Sequence, residues 1–272
     1  MNRRRFLQLM TLGTVGLAGS VPTYAWGEAH RFGISRHSFK LPRLERGLRV
    51  AHLSDLHFGR WHREPAIRQW VDATLAQNPD LIVLTGDLVD GRTSIERLEA
   101  FTAELARLRA PLGVFATWGN HDYGLQRSGR LEAFGQMLEK AGIRVLTNEG
   151  AQIRPDLYLA GVDDYWHGEV DIARAIRDAR ADGATLLLSH NPDILPSVPE
   201  SVGLMLSGHT HGGQVRAPFG VGLHSISKFG ERYQMGFIKE QTTAFVSRGL
   251  GTSTVPVRSF CPAELVLLEL HA

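Results

Sequence analysis

Five short apolar runs of this chain are each followed directly by side chains that can bind a metal. The polar residues concerned are Asp, His and Asn, and they occur in the blocks Ser54–His57, Gly86–Asp87, Gly119–Asp122, Ser189–Asn191 and Gly208–His211. Short aliphatic runs bounded by glycine, proline or polar residues are typical of buried strands. Because the strands of α/β folds carry their functional loops at one edge of the sheet, the five blocks are expected to meet there.

The chemistry of these blocks indicates which metals would bind. Asp, His and Asn combine hard oxygen ligands with imidazole nitrogen, a set that suits divalent manganese, iron or zinc better than a metal that prefers thiolates. Seven candidate ligands for two ions require that one carboxylate bridges them. Two metals about 3.5–4 Å apart activate a water and hold the phosphoryl oxygens of an in-line displacement. The blocks therefore predict a two-metal hydrolase.

The order of the blocks and their neighbours resembles the calcineurin-like metallophosphoesterase superfamily, whose pattern runs DxH, GD, GNH(D/E), H and GHxH. The resemblance covers residues 47–270, with no substitution at a ligand position. It implies two divalent metal ions per chain, whose identity we leave open among manganese, iron and zinc. The ligands that it implies are Asp55, His57 and His211 for one metal, Asn120, His190 and His209 for the other, and Asp87 as the bridge between them.

Two further residues receive a role from the resemblance. His121 would be the acid that protonates the leaving oxygen, and Asp90, three residues after Asp87, would orient that histidine. A single Asp-x-His or His-x-His pair is common outside metal sites, so the argument depends on the five blocks together. We interpret His52, which lies within a predicted strand, as a structural histidine.

The branch of the superfamily can be narrowed. Gly91 stands where the phosphoprotein phosphatases have an arginine, and Asp122 replaces their glutamate, so protein phosphatase activity is disfavoured. The GHTHGGQ run at Gly208–Gln214 and the segment Ser247–Gly251 resemble the exported bacterial phosphodiesterase branch typified by YkuE and YaeI. Some relatives in that branch hydrolyse a UDP-linked diacylglucosamine at its diphosphate.

The N-terminus predicts export by an independent signal. Asn2–Gln8 fits the twin-arginine consensus, and Phe6–Ala18 is a weakly apolar segment, too short for a membrane span of about 20 residues. Small residues before Trp26 predict cleavage after Ala25; an uncleaved amphipathic anchor is the alternative. We therefore expect the twin-arginine translocon as a partner, a periplasmic or cell-envelope location, and peripheral membrane association as an open alternative.

Charge and cysteine content exclude some classes of function. The chain has 30 basic and 28 acidic residues, and three of the arginines belong to the predicted signal, so the remainder is close to neutral. A nucleic-acid-binding surface normally has a strong basic excess, and none is expected here. Cys261 is the chain's only cysteine, so no intrachain disulfide can form, and we expect it to be structural.

Apolar periodicity predicts four helices that alternate with the strands, over Glu64–Gln77, Ser94–Arg109, Gly129–Ala141 and Glu169–Ala181. A hairpin is expected within Thr147–Asp164, and two late strands within Ala244–Leu270. Such alternation implies an α/β fold; the resemblance specifies a four-layer αββα sandwich of two mixed sheets flanked by helices. The domains predicted are a signal peptide (1–25), a lead-in segment (26–46) and a metallophosphoesterase domain (47–272).

Substrate recognition is expected in the loops outside the metal blocks. Aromatic and histidine residues lie at Trp61–His62, Tyr165–His167 and Phe219–Tyr233, although each could equally be an ordinary packed loop aromatic. Arg248 and Arg258 could bind a phosphate with their planar guanidinium groups, or form structural ion pairs instead.

These observations predict a metal-dependent hydrolase of phosphodiester or diphosphate bonds, acting on a small-molecule or lipid-linked phosphoester such as an envelope lipid or a UDP-diacylglucosamine-like compound. We expect Phe219 and Phe229 to form an apolar wall for an acyl chain. The alternatives are a phosphomonoesterase and a non-catalytic metal-binding envelope protein.

Overall fold

The computed structural model describes residues 24–272. The predicted export motif Asn2–Gln8 and the apolar segment Phe6–Ala18 lie outside the described residues. Residues 24–29 are helical, and the carbonyl of Ala25 accepts a hydrogen bond from the Arg258 backbone N–H at 2.9 Å. Cleavage after Ala25 would therefore cut a helix that is bound to the domain. None of the helices in the described part of the chain is long and apolar enough to cross a membrane.

Two six-stranded mixed sheets form the centre of the described domain. The strands are β1 (Phe32–Lys40), β2 (Leu48–Leu53), β3 (Leu81–Thr85), β4 (Val114–Thr117), β5 (Ile143–Val145), β6 (Glu149–Arg154), β7 (Leu157–Gly161), β8 (Ala184–Leu188), β9 (Leu204–Ser207), β10 (Gly236–Lys239), β11 (Thr243–Val246) and β12 (Ala263–His271). The first sheet has the order β1-β12-β2-β3-β4-β5 and the second the order β10-β11-β9-β8-β7-β6.

Beyond the helical residues 24–29, further α-helices lie outside the sheets. They are α1 (Glu64–Leu75), α2 (Ile95–Leu105), α3 (Arg130–Lys140) and α4 (Ile172–Ala175). The first three pack on the outer face of the first sheet through a core that includes Phe101 and Phe134. A second core, with Val50 and Leu186, fills the space between the sheets, and a third lies outside the second sheet. The predicted α/β sandwich of two mixed sheets with flanking helices is confirmed.

The helix predicted over Glu169–Ala181 is much shorter in the structure and covers only Ile172–Ala175. Ala175 is its one buried residue, and the charged residues that follow pair with near neighbours, as Arg180 does with Asp182. A short helix needs an apolar face packed on the protein, and this segment has little to bury. The outer layer on the second sheet is therefore thin and consists largely of turns.

The lead-in segment contributes a strand to the domain. Within residues 26–46, Phe32–Lys40 forms β1, which pairs in parallel with β12 at the edge of the first sheet. The expected hairpin is present as the antiparallel pair β6 and β7, and the two late strands are β11 and β12.

The parallel register of the central strands brings the polar blocks together. Leu53 pairs with Leu84 at the ends of β2 and β3, and Leu188 pairs with Leu206 at the ends of β8 and β9. The block after each strand therefore begins at the same edge of its sheet. The backbone N–H of Asp55 donates to the carbonyl of Gly86 at 3.1 Å, which joins the first two blocks directly.

Candidate metal centre

The first group of predicted ligands lies at the end of β2 and beside β9. The Nε2 atoms of His57 and His211 are 3.1 Å apart, and His211 Nε2 is 3.4 Å from Asp55 Oδ1. All three side chains are buried. Both carboxylate oxygens of Asp55 also accept a hydrogen bond from the backbone N–H of His209, at 3.0 and 3.1 Å. This bond fixes the block after β9 against the block after β2.

The second group lies next to the first. His190 Nε2 is 3.1 Å from Asn120 Oδ1 and 3.2 Å from His209 Nδ1. The other ring nitrogen of His190 faces the carbonyl of Thr85 at 2.8 Å. If Nδ1 donates its proton to that carbonyl, Nε2 is left free to act as a ligand.

Asp87 lies between the two groups. Its Oδ2 is 3.5 Å from His57 Nε2 and 3.3 Å from His190 Nε2, while its Oδ1 accepts a hydrogen bond from the His121 backbone N–H at 2.7 Å. One carboxylate oxygen is thus held by the backbone and the other faces a ligand candidate of each group. This is the arrangement that a bridging carboxylate requires.

The contacts between ring nitrogens test whether cations fit this site. Two neutral imidazoles that face each other through unprotonated nitrogens repel, so each facing pair must hold a proton or a metal. Burial opposes the charged form, but Asp90 and Asp87 raise the pKa of His57, whereas burial lowers that of His211 well below its usual value. The second pair, His190 and His209, shows the same pattern. Burial would lower the pKa of His190, but Asp87 raises it to about 10.

Burial, and to a smaller extent the charge of His190, lowers the pKa of His209 to about 3. Within each facing pair the pKa of one ring is raised and that of the other is lowered, so a proton shared by the two nitrogens would stay on the first ring. A divalent ion would take the place of that proton, so the donor set fits two cations.

The backbone at the site is strained. Positive φ angles occur at five of the seven predicted ligands, which are Asp55, His57, Asp87, His209 and His211. A non-glycine residue in this region costs on the order of 1–3 kcal/mol, and such residues concentrate at functional sites. Close packing adds to the constraint, since a Cβ at Gly119 would overlap the backbone N and the carboxylate of Asp87. The fold maintains this geometry at the expense of stability.

Comparison with known proteins agrees with this geometry. Residues 48–213 match the family model described as calcineurin-like phosphoesterase. The chain belongs to this family. It is therefore a metal-dependent phosphoester hydrolase, and the described residues contain side-chain groups that could hold the metal.

Relatives of the phosphoesterase family match over most of this chain. An uncharacterized metallophosphoesterase of Aquifex aeolicus is 31% identical over 91% of this chain and 95% of its own length. The phosphodiesterase YaeI of Escherichia coli is 31% identical over 99% of both chains. The uncharacterized metallophosphoesterase YkuE of Bacillus subtilis is 28% identical over 100% of this chain and 98% of its own.

His121 lies at the edge of the phosphoesterase site without taking part in either facing pair. Its ring packs edge-on against His57, with the ring centroids 4.7 Å apart, and it lines the cavity above the ligands. Burial lowers the pKa of His121. The side chain is therefore near the ligands and accessible from the cavity.

Asp90 was expected to orient His121, and the ligand atoms of Asp90, His57 and His121 all lie within 4.8 Å of one another; the direct contact of Asp90 is with His57. Its Oδ1 is 3.3 Å from His57 Nδ1, and its Oδ2 accepts the Arg60 backbone N–H at 3.0 Å. The loop after β3 turns Asp90 towards the block after β2, because the Asp90 N–H donates to the carbonyl of Phe58. Asp90 thus directs His57 Nε2 towards the other ligands, as a carboxylate commonly does for a metal-binding histidine.

Asp122 has a structural role that the sequence did not predict. Its buried carboxylate accepts the backbone N–H groups of Gly119 at 2.9 Å and of Val89 at 3.0 Å. Burial, with the nearby charge of Asp87, raises its pKa to about 7. Asp122 therefore connects the loops after β3 and β4. Its place directly after Asn120 and His121 was the only signal in the sequence.

The two arginines proposed to bind phosphate have structural contacts instead. Arg258 is fully buried, and its guanidinium donates to the carbonyls of Gly251 and Cys261, among others. Arg248 pairs with Glu264 at 2.6 Å, the ion pair that was considered as its alternative. The spacing of these arginines could not reveal this, because the loop carbonyls that surround Arg258 come together only in the fold.

A cavity of about 400 Å³ opens above the metal ligands. Trp166 lines it and packs edge-on against His209, with ring centroids 4.4 Å apart, and Leu223, Ile226 and Val255 form an apolar side. Neither aromatic residue that was expected to form this wall contributes to it. Phe219 is fully exposed, and Phe229 packs against Tyr233 with tilted rings and a centroid distance of 4.4 Å.

The structure also shows where other aromatic and histidine residues singled out in the sequence lie. His62 is buried, and its Nε2 is 3.0 Å from Thr252 Oγ1, so it supports the loop rather than lining the cavity. Trp61 packs under the guanidinium of Arg60. His52 is structural as expected, with its Nε2 2.8 Å from Thr85 Oγ1 inside the core.

Proposed function

We propose that this chain is a dinuclear metal-dependent phosphodiesterase. The observation that carries the proposal is the position of Asp87, whose Oδ2 lies within 3.5 Å of His57 Nε2 in one ligand group and 3.3 Å of His190 Nε2 in the other. A carboxylate in that place can serve two ions at once. The two ligand groups bury four histidine rings beside three acceptor side chains, and bound cations would give those ring nitrogens a role.

The proposed ligands divide into two sets around Asp87. Asp55, His57 and His211 would hold one ion, and Asn120, His190 and His209 the other. Divalent manganese, iron and zinc all suit this mixture of oxygen and nitrogen. Such ions supply Lewis acidity, which lowers the pKa of a water and stabilises charge on phosphoryl oxygens. Asp90, through His57 Nδ1, would keep the first set oriented.

We assign the proton that the leaving oxygen needs to His121. The ring lines the cavity directly above the ligands, and its backbone N–H is bound to Asp87 Oδ1 at 2.7 Å. The backbone of His121 is therefore fixed relative to the carboxylate that would bridge the metals. General acid catalysis by a positioned histidine typically contributes about 10²–10⁴ in rate.

The lining of the cavity favours diesters over monoesters. The residues that line it, all within the described part of the chain, include neither lysine nor arginine. A monoester dianion gains more from an added cationic side chain than a diester monoanion does. A diester also needs room for two substituents, and the cavity extends from His121 past Trp166 to Leu223 and Ile226.

The apolar side of the cavity indicates which kind of substituent the natural substrate would carry. Leu223, Ile226 and Val255 would accept an apolar substituent of the ester, since ligand pockets combine an apolar lining with a few polar groups. An envelope phospholipid or a UDP-diacylglucosamine-like diphosphate is our hypothesis for that substrate. A phosphomonoesterase and a non-catalytic metal-binding envelope protein are the alternatives.

A substrate panel separates these alternatives. The purified chain, loaded with manganese, would be offered bis(4-nitrophenyl) phosphate, 4-nitrophenyl phosphate and a diphosphate diester. We expect the highest kcat/KM with a diester or diphosphate. A clear preference for the monoester would contradict the assignment, and no turnover of any ester with metals bound would favour the non-catalytic alternative.

We also propose export by the twin-arginine route to the periplasm or cell envelope. Replacement of Arg3 and Arg4 by lysine should leave active enzyme in the cytoplasm, because this route recognises the arginine pair. Normal export of the double variant would point to another route. The contact between the Ala25 carbonyl and Arg258 supports retention of the segment as an anchor rather than cleavage after Ala25, and mass spectrometry of the exported chain would distinguish the two.

A further inference from the structure

One hairpin beside the metal cavity presents an aromatic side chain entirely to solvent. Residues 216–222 form a tight antiparallel turn in which Arg216 pairs with Gly222, and the Ala217 N–H donates to the carbonyl of Val221 at 2.9 Å. Phe219 lies at its tip, fully exposed, with a φ of +67°. A bulky residue in the left-handed region is unusual. The hairpin therefore combines backbone strain with exposure of an aromatic ring.

The base of this hairpin is firmly held. Arg216 is buried and donates from Nη1 to the carbonyl of Gly212 at 3.0 Å and from Nε to the carbonyl of Gly220 at 3.1 Å. The Arg216 N–H also donates to the carbonyl of Ser259 at 2.8 Å. The exposed position of Phe219 thus follows from a well-anchored turn and is not the result of a loose loop.

Other exposed apolar residues surround the tip. Val221 is 57% exposed and Phe260 48% exposed. Gly220 and Phe260 line a cavity of about 820 Å³ together with Tyr24 and Arg31. We define this set of Phe219, Val221, Phe260 and Tyr24 as the apolar tip. Isolated exposed hydrophobic residues are normal, but a group of them marks an interaction surface.

We propose that the apolar tip is a docking surface for a lipid bilayer. The chain outside the described residues indicates this occupant: the Tyr24 ring packs against Phe260 with a centroid distance of 6.1 Å, and only residues 19–23 separate Tyr24 from the apolar sequence Phe6–Ala18. A membrane that took up that apolar sequence would lie against the tip.

The shape and charge of the tip fit the same occupant. A projecting aromatic ring can enter the soft interface of a bilayer, where aromatic residues are enriched. Arg31 is exposed beside the tip and suits an anionic lipid headgroup. Glu28 is nearby, but its carboxylate accepts the backbone N–H groups of Phe260 and Cys261.

Docking at this surface would place the mouth of the metal cavity close to the membrane. Leu223, the next residue after the hairpin, lines that cavity and is 64% exposed. The proposal rests on the proposed retention of the N-terminal segment, because cleavage after Ala25 would remove Tyr24 and Phe6–Ala18. It does not depend on catalysis or on which ester is hydrolysed, because membrane binding is measured without turnover.

A single-site label tests the proposal directly. Cys261 is the only native cysteine and is buried, so Phe219→Cys in the full chain can be labelled selectively with an environment-sensitive fluorophore. The matched control is Phe237→Cys, because Phe237 is also an exposed aromatic (41%) but stacks on Phe39. Phe39 pairs with Leu270 and Leu270 with Leu48, so the control lies at the end of the first sheet away from Asp55.

Vesicles of equimolar phosphatidylethanolamine and phosphatidylglycerol should shift the emission of the label at position 219 to the blue and leave position 237 unchanged. Phe219→Ser should lower the vesicle partition coefficient of the full chain by about tenfold or more, the effect expected when one aromatic side chain no longer leaves water. Hydrolysis of bis(4-nitrophenyl) phosphate should stay unchanged in every variant, which also controls for folding.

Three results would overturn the proposal. The first is an equal response at positions 219 and 237, and the second is unchanged partition of Phe219→Ser. The third is a label at position 219 that is already shielded without vesicles, since a second copy of the chain or its own N-terminal segment would then cover the tip.

Discussion

The floor of the metal cavity and its rim differ in how they are built. The floor consists of buried side chains at strand ends, among them Asp87 and His190, and each of its polar blocks is joined to another by a hydrogen bond from a backbone N–H. The rim consists of loops whose apolar residues, such as Trp166 and Leu223, are about half exposed. A change in the floor affects several contacts at once, whereas a change in the rim affects few.

This difference indicates where chemistry and selectivity are separated. The floor tolerates strained backbone and crowded glycines because the two sheets hold it from below. Apart from Trp166, which packs against His209, the rim can vary without disturbing the ligands. We therefore expect substitutions in the floor to change kcat or metal content, and substitutions in the rim to change KM for particular substrates.

The largest effect is expected at His121. Exchange of His121 for alanine should keep both metals and reduce kcat by about 10²–10⁴ for a diester with a basic leaving group, because the departing oxygen then lacks its acid. The loss should be much smaller for a nitrophenolate leaving group, which needs no proton. Steady-state kinetics with both leaving groups measure this, and equal losses for the two would show that His121 has another role.

The pH dependence of the free energy of unfolding tests the burial of His52, which lies in the core below the floor of the cavity. Burial, opposed by the charge of Glu264, lowers the pKa of His52 to about 4 in the folded chain, below an unfolded value of about 6.5. Between these values the unfolded state binds more protons, so the free energy of unfolding should decrease as the pH falls from about 6.5 to 4, by up to about 3 kcal/mol.

Urea unfolding at a series of pH values measures this effect. His52→Gln can keep a hydrogen bond to Thr85 and cannot titrate, so its free energy of unfolding should fall less steeply over the same range. Parallel curves for the two proteins would mean that His52 is not buried in its neutral form.

The smallest effect is expected in the rim. Leu223→Ala should raise KM a fewfold for a diester that carries a long alkyl chain and leave kcat unchanged, the pattern of lost remote binding. The effect is small because Leu223 is already 64% exposed. Phe219→Ala is the matched control, since Phe219 does not line the cavity. Similar KM changes in both variants would remove the distinction between the cavity wall and the apolar tip.

The same contrast explains what could be predicted from the sequence. Polar blocks after buried strands meet at a sheet edge by the rules of parallel pairing, so the meeting of Asp55 with Asp87 was predictable from the residues. That the edge of the second sheet, with His190, faces them was implied only by the family resemblance. Which partner Asp90 takes depends on how one loop turns, and the burial of Arg258 depends on carbonyls from distant loops. Neither property leaves a periodic pattern. The short α4 shows the related problem that periodicity indicates a helix without showing how much it can bury.

The central claim is that Asp87 joins two metal sites, and metal analysis of three proteins tests it most directly. We expect two equivalents of divalent metal in the wild-type chain, about one in His57→Ala, and weakened binding at both sites in Asp87→Asn, measured by mass spectrometry after exhaustive dialysis. Retention of two equivalents and normal turnover by Asp87→Asn would contradict the claim.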